Sequence, residues 1–146
     1  MKLSKKGRYG MRALIDLAIY SADEYMPLNV IAERNQIPLK YLEQVFASLR
    51  RAGIVKSLKG LQGGYLLGDL PQNISVSSIL SSIDGNYLLE DEAATSQNES
   101  QFAQLAIQKL VIENVNSGVE EVLKHTTLED LVQLFRQYQK QNMYYI

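Results

Sequence analysis

Residues Ile31–Gly68 read IAERNQIPLKYLEQVFASLRRAGIVKSLKGLQGGYLLG, and this stretch decides the fold. Pro38 can open a helix without losing a needed hydrogen bond. The run from Pro38 to Ala52 then puts Leu39, Leu42, Val45, Phe46 and Leu49 on one face and stops at Gly53, a C-terminal cap. Upstream, Asn29 to Asn35 makes a short helix with Val30, Ile31 and Ala32 facing inward, and Gln36 and Ile37 form the turn between the two. Downstream, IVKSL and YLLG read as strands flanking a glycine-rich loop that holds Lys59, Gly63 and Gly64. Two helices around a tight turn, then a hairpin, make a winged helix-turn-helix. Ahead of it, Lys5 to Ala22 carries Met11, Leu14, Ile15, Ala18 and Ala22 at the three- and four-residue spacing of an amphipathic helix.

The chain has 146 residues, enough for one domain with an appended helical arm, and no cysteine. Thiol nucleophiles, disulfides and thiolate-held metal centres are therefore excluded. Near the N-terminus, Arg8, Arg12 and Asp16 interrupt the apolar run that a signal peptide or membrane span requires, so a soluble cytoplasmic protein is expected. Net charge is −1, but Met1–Gly68 holds eleven Lys and Arg against five acids, and Asp69 onward four against eleven. That polarity points to a polyanion-binding first half.

On the helix opened by Pro38, removing the apolar stripe leaves Lys40, Tyr41, Glu43, Gln44, Ser48 and Arg51, with Lys40, Gln44, Ser48 and Arg51 on successive turns. In helix-turn-helix proteins the N-terminal end of the second helix reads base edges, so Lys40, Tyr41 and Gln44 are the reading candidates, while Arg50 and Arg51 would meet phosphates. Glycines in the hairpin let its tip approach another surface, and Lys59 supplies positive charge. A phosphate-cradling loop would lead from strand to helix; this one leads from strand to strand.

With these motifs in place, the chain resembles the Rrf-type winged-helix transcription regulators. The resemblance rests on MKLSKKGRYGMRAL at the start, Ile31–Ser57, KGLQGGYLLG and ISVSSILSSIDG, thus on Met1 to Gly85 almost without interruption. It implies a homodimeric repressor or activator on a palindromic operator, with the second helix of the motif in the major groove and the wing at the minor groove. By position it marks Tyr41, Glu43 and Gln44, Lys59 where many members have arginine, and Lys6, Arg8, Arg50 and Arg51 as backbone contacts. Pro38 departs from the serine often found at that helix start.

Many members of the family hold an iron–sulfur cluster on three cysteines after the wing. Here the corresponding stretch, Asn86 to Ser100, is NYLLEDEAATSQNES, with neither cysteine nor histidine, and carboxylates are poor substitutes for soft sulfur ligands. No cofactor and no cluster is expected, and the stretch reads as an acidic flexible loop. The missing cysteines, VEEVLKHTTLEDL and the terminal MYYI resemble the cysteine-free, CymR-like branch, which controls cysteine metabolism genes. That resemblance implies cysteine synthase as a partner. The apolar tail Tyr144, Tyr145 and Ile146, ending in a carboxylate, is a candidate for entering a partner's pocket.

Gln101 to Lys124 reads as one long helix whose stripe of Phe102, Leu105, Ala106, Ile112, Val115, Val119, Val122 and Leu123 needs a cover. A second copy is the economical one, which makes Phe102, Leu105, Ile112, Val115, Val119 and Val122 the dimerisation candidates. Thr126 and Glu129 have capping-box spacing for a last helix from Leu128 to about Gln139, and His125, the only histidine, sits where a helix ends. No nucleophile–base constellation is visible, so catalysis is not expected. The expected architecture is mostly α with a β-hairpin wing. It has a winged helix-turn-helix over 1–85, an acidic loop over 86–100, and a dimerisation helix with last helix and tail over 101–146. The function expected is a DNA-binding transcriptional regulator. The alternatives are a winged helix whose basic face meets an acidic protein, or a regulator of another regulon that senses through a partner or small ligand.

Overall fold

A computed structural model describes residues 1–21, 23–93 and 98–144; Ala22, expected at the end of the first helix's stripe, lies outside the described residues. Helix α1, Lys5–Tyr20, begins where the Ser4 hydroxyl accepts from the Gly7 N–H (2.9 Å) and donates to Asp84 (2.6 Å). Its fully buried stripe is Gly7, Gly10, Ala13, Leu14, Asp16 and Leu17. The expected Met11, Ile15 and Ala18 flank that stripe, half-buried. A Cβ on Gly7 would meet the Leu80 side chain and one on Gly10 that of Ile83, so the two glycines make room for side chains packed against α1.

Helix α2, Leu28–Asn35, ends on Gln36 in the left-handed conformation (φ 55°, ψ 43°). There the Ile37 N–H donates to the Ala32 carbonyl (2.9 Å) and the Gln36 N–H to that of Glu33 (3.2 Å). Helix α3, Leu39–Arg51, closes the same way: the Ile54 N–H reaches the Leu49 carbonyl and the Gly53 N–H that of Arg50, both at 3.0 Å, with Gly53 at φ +77°. Both are Schellman closures, and the glycine of the second is the residue such a turn favours. Val30 is only half-buried, and Leu39, expected on the buried face of α3, is 39 % exposed, because the first turn of the helix overhangs the core.

Strands β1, Val55–Leu58, and β2, Gly64–Leu67, pair antiparallel from Val55 opposite Leu67 to Leu58 opposite Gly64. An isolated bridge ties the hairpin to Met26, whose N–H donates to the Tyr65 carbonyl (2.9 Å) and whose carbonyl accepts from the Tyr65 N–H (2.8 Å). After a 3₁₀ turn at Pro71–Asn73 come α4, Val76–Asp84, and then α5, Ser100–Ile107, one π turn at Gln108–Ile112, α6, Glu113–His125, and α7, Leu128–Tyr144. The core is centred on Leu14, Leu17, Ile31, Leu42, Val45, Phe46, Leu49 and Ile79, with Phe46 edge-on to Tyr65 (centroids 4.9 Å apart). Leu128 and Val132 of α7 belong to this same core, so packing joins residues on both sides of the division expected at 85. A second cluster forms around Val76, Leu80 and Tyr87, where the Tyr87 and Ser77 hydroxyls share a buried hydrogen bond of 2.9 Å.

The capping box of α7 is one residue later than the sequence spacing suggests. Thr127 and Asp130 make it, the Thr127 N–H donating to the Asp130 carboxylate (2.9 Å) and the Asp130 N–H to the Thr127 hydroxyl (3.2 Å). Thr126 instead bonds back to the Val122 carbonyl (2.9 Å), finishing α6. His125, the last residue of α6, places Nδ1 2.8 Å from the Glu121 carbonyl.

Candidate nucleic-acid interface

Burial of Leu42, Val45, Phe46 and Leu49 fixes the rotation of α3 and turns Lys40, Glu43, Gln44, Arg50 and Arg51 to the surface. Some of this outward ridge is linked: the Arg51 guanidinium donates to the Ser48 hydroxyl (3.1 Å), which leans toward the Gln44 carbonyl (3.4 Å). Lys40, Gln44 and Lys59, on which the DNA reading depends, are all exposed.

Tyr41, expected among the base-reading residues, also joins α3 to α1. It is half-buried and meets Tyr9 of α1 edge-on, with centroids 5.5 Å apart. Lys6 Nζ lies 5.8 Å from the Tyr41 ring, and Lys5 and Arg12 stand 5.6 and 5.5 Å from that of Tyr9. Four groups from the N-terminal helix thus gather at the start of α3, each within cation–π or ring-stacking reach. The structure thus brings Lys6, from the N-terminal helix, to Tyr41 of α3. Arg8 is exposed, but its guanidinium folds back to the Leu3 carbonyl (3.2 Å).

A half-buried ion pair links α1 to α2. Asp16, 5 % exposed, accepts from Arg34 Nε (2.8 Å) and Nη2 (3.0 Å) and from the Asn35 side-chain amide (2.9 Å). Those hydrogen bonds push the Arg34 guanidinium further above its already high range. The ring of Tyr20 lies 4.2 Å from the same guanidinium. Arg34 is thereby neutralised and counts little toward the cationic face, a correction the one-dimensional charge tally could not make. The only hint in the sequence is an aspartate inside an otherwise apolar helix face.

The hairpin glycines have a reason inside the fold. A Cβ on Gly63 would lie 2.2 Å from the Leu58 carbonyl oxygen, and one on Gly64 (φ +143°) 2.3 Å from that of Met26. Gly63 and Gly64, expected at a nucleic-acid contact, are therefore required by the hairpin's own closure and by its pairing with Met26. Gly60, by contrast, has nothing within 4 Å of where a Cβ would sit.

On the long helix, Phe102 (71 % exposed), Leu105 (57 %), Val115 (36 %) and Val122 (62 %) stand at the surface, with Leu110 and Val111 beside them. Ile112 does not: it is buried within the chain, and Val119 packs against the Val76–Leu80–Tyr87 cluster. The π turn explains the change of phase, since one extra residue per turn rotates the following side chains relative to an unbroken α-helix. Of the tail, Tyr145 and Ile146 lie outside the described residues, as does the side chain of Tyr144. So do residues 94–97 of the acidic loop. Among the described residues no helix is long and apolar enough to cross a membrane.

Comparison with known proteins agrees with this geometry. A family model described as Rrf2, iron-dependent transcriptional regulator, matches residues 3–134. The HTH-type transcriptional regulator CymR of Bacillus subtilis is 38 % identical over 150 aligned residues, covering 100 % of both chains. The HTH-type transcriptional regulator IscR of Pectobacterium atrosepticum is 33 % identical over 132, covering 90 % of this chain and 79 % of its own. The solved structure of B. subtilis CymR, the global cysteine regulator of that organism, superposes with a TM-score of 0.72 at 36 % identity, covering 92 % of this chain and 98 % of that one. Proteins of this kind are transcriptional regulators and not enzymes.

The iron in the family description does not fit the donors present. There is no cysteine in the chain, and the described residues of the segment after the wing offer only oxygen donors, the carboxylates of Glu90, Asp91, Glu92 and Glu99 with the amides and hydroxyls beside them, and no sulfur or imidazole. That segment is held to the long helix by amides instead: Asn116 accepts from the Leu89 N–H (2.9 Å) and donates to its carbonyl (3.0 Å), and Gln108 accepts from the Glu92 N–H (2.9 Å). A helix-turn-helix followed by a two-stranded hairpin, a long helix with an exposed apolar face, and similarity to CymR over its full length and to IscR over 90 % of this chain converge. The chain belongs to the Rrf2 family of transcriptional regulators.

Proposed function

We propose that this chain is a DNA-binding repressor that acts as a homodimer on a palindromic operator and controls genes of cysteine and sulfur metabolism. The observation that carries the DNA reading is the exposed ridge of α3: Lys40, Gln44 and Arg51 face outward while Tyr41 and Tyr9 bolt the start of that helix to a lysine- and arginine-bearing α1. Gln44 can present its amide to a base edge in the major groove, and Arg50 and Arg51 neutralise phosphates farther along. The dimer reading is supported by the row of exposed apolar side chains from Phe102 to Val122, a face that a two-fold partner would cover. The cysteine reading is supported by similarity to B. subtilis CymR over the whole chain. Cysteine synthase is the proposed partner, through Tyr144–Ile146.

Duplex binding by the full chain tests this. Affinity for the preferred palindrome should exceed that for unrelated duplex by about 10³ or more and fall steeply with salt. Gln44→Ala should lose about 1–3 kcal/mol on the preferred duplex and little on others, whereas Arg51→Ala should weaken both alike. Equal binding of all duplexes by the unaltered protein would refute the reading. Capture of bound DNA from cells grown with and without cysteine tests the regulon, and removal of residues 143–146 followed by titration with cysteine synthase tests the partner.

A further inference from the structure

The wing ends in a side chain that the fold does not use. The Gly63 N–H donates to the Gly60 carbonyl (3.0 Å), closing a tight turn with Leu61 and Gln62 at its apex. Leu61 is 107 % exposed, more open than a leucine in an extended reference chain, and Leu58 at the end of β1 is 49 % exposed. Single exposed leucines are ordinary on protein surfaces, so exposure alone decides nothing. Three further observations give this one a role.

The stalk is closely packed: a Cβ on Gly63 or Gly64 would meet the Leu58 or Met26 backbone, and Met26 pairs with Tyr65, so the apex stands on a hairpin held to the body of the fold. The surroundings are cationic: from Gln44 to Gly68 there are Arg50, Arg51, Lys56 and Lys59 and not one acid. The stalk is also anchored to the buried face of α3, Tyr65 of β2 lying edge-on to Phe46, so the hairpin is joined to the helix whose outer face carries Lys40 and Gln44.

We propose that Leu61 is an apolar wedge that the wing presses into the operator's minor groove, so that the protein senses how easily the base step there unstacks. This rests on the DNA-binding reading above and adds a specificity determinant to it. Cations draw the tip to the phosphates on either side of the groove, but a leucine makes no hydrogen bond and cannot read a donor–acceptor pattern. It can displace water and pry apart a pair of stacked base pairs, as apolar minor-groove wedges do, and flexible pyrimidine–purine steps yield most readily. Gln62, beside it at the apex, supplies an amide for the groove floor. An apolar tip among cations also suits an anionic membrane, but the joining of the stalk to α3, whose exposed face carries the polar base-reading side chains Lys40 and Gln44, favours the duplex.

The test uses the full chain and the duplex it selects from a random-sequence pool, with the base step under the wing located by footprinting. That step is then made TA or AA, and 2-aminopurine is placed within it. Leu61→Ser should weaken binding to the TA duplex on the order of tenfold, erase the TA-over-AA preference and abolish the fluorescence rise of an unstacked base. Its salt dependence should stay unchanged, and Leu61→Met should restore binding. Lys59→Ala should instead lower the salt slope by about 1 and keep the step preference. An unchanged step preference and fluorescence in Leu61→Ser would overturn the wedge and leave DNA binding standing. So would a loss confined to binding of phosphatidylserine vesicles. Failure of the unaltered protein to select any duplex would remove both readings.

Discussion

Phe46 and Phe102 are the same side chain on two helices of one molecule. Phe46 is 0 % exposed, edge-on to Tyr65 in the core; Phe102 is 71 % exposed on α5. The same contrast runs through their neighbours. Leu42, Val45 and Leu49 of α3 are sealed, whereas Leu105, Leu110 and Val122 of the long helix face outward. The winged-helix body completes its own hydrophobic burial within one chain, helped by Leu128 and Val132 of α7. The long helix leaves its burial unfinished, and its charge pairs Lys109–Glu113 and Lys124–Glu120 are exposed pairs that contribute little. The body is thus a folding unit, and the long helix is a surface awaiting a complement.

The largest effect should come from breaking the body. Phe46→Ala should cost about 3–5 kcal/mol in denaturant unfolding, independent of protein concentration, because it empties a site with no room to collapse. The matching change on the other helix, Phe102→Asp, should leave the fold of each chain intact and weaken self-association by about 2–4 kcal/mol, seen by sedimentation as a shift toward the monomer. Equal, concentration-independent losses in the two variants would erase the contrast.

Smaller changes sharpen it within the body. Gly64→Ala should destabilise by about 1–3 kcal/mol and loosen the wing from Met26, visible as faster amide exchange at Tyr65, because the new methyl meets the Met26 carbonyl and the φ is unfavourable. Gln36→Gly should have the smallest effect and the opposite sign: relieving a left-handed non-glycine residue is expected to gain about 0.5–1 kcal/mol in thermal or denaturant unfolding. A loss there would mean that the Gln36 side chain contributes more than its backbone strain takes away.

The helix-turn-helix and the hairpin were legible from the sequence because their signals are local. Pro38, Gly53 and the spacing of Leu42, Val45, Phe46 and Leu49 act within a few residues of themselves. The face of α3 followed from the same spacing, and Lys40, Gln44 and Arg51 stand where that spacing puts them. Tyr41 was legible as a position but not as a joint, since Tyr9 is far away in the chain. Asp16 was illegible for the same reason: its partners, Arg34 and Asn35, come from another helix. The capping box was misread by one residue because Thr126–Glu129 and Thr127–Asp130 have identical spacing. What chooses between them is the pairing around Ser75 and Thr127, where the Val76 N–H meets the Thr126 carbonyl (2.8 Å) and the Leu128 N–H that of Ile74 (2.8 Å).

By itself the sequence determined the helix-turn-helix, the hairpin after it, and which residues α3 turns outward, since hydrophobic period and the backbone limits of proline and glycine operate over a handful of residues; it gave no sign of α4, of the π turn that splits the long helix, or of α7 running on to Tyr144. Only the tertiary structure decided that Gly63 and Gly64 serve the hairpin's own closure, that Ile112 turns inward while Phe102 does not, and that Leu61 is left alone at the tip. Each of those outcomes depends on where a backbone or side chain from elsewhere in the chain arrives, and packing geometry, not local propensity, sets that distance.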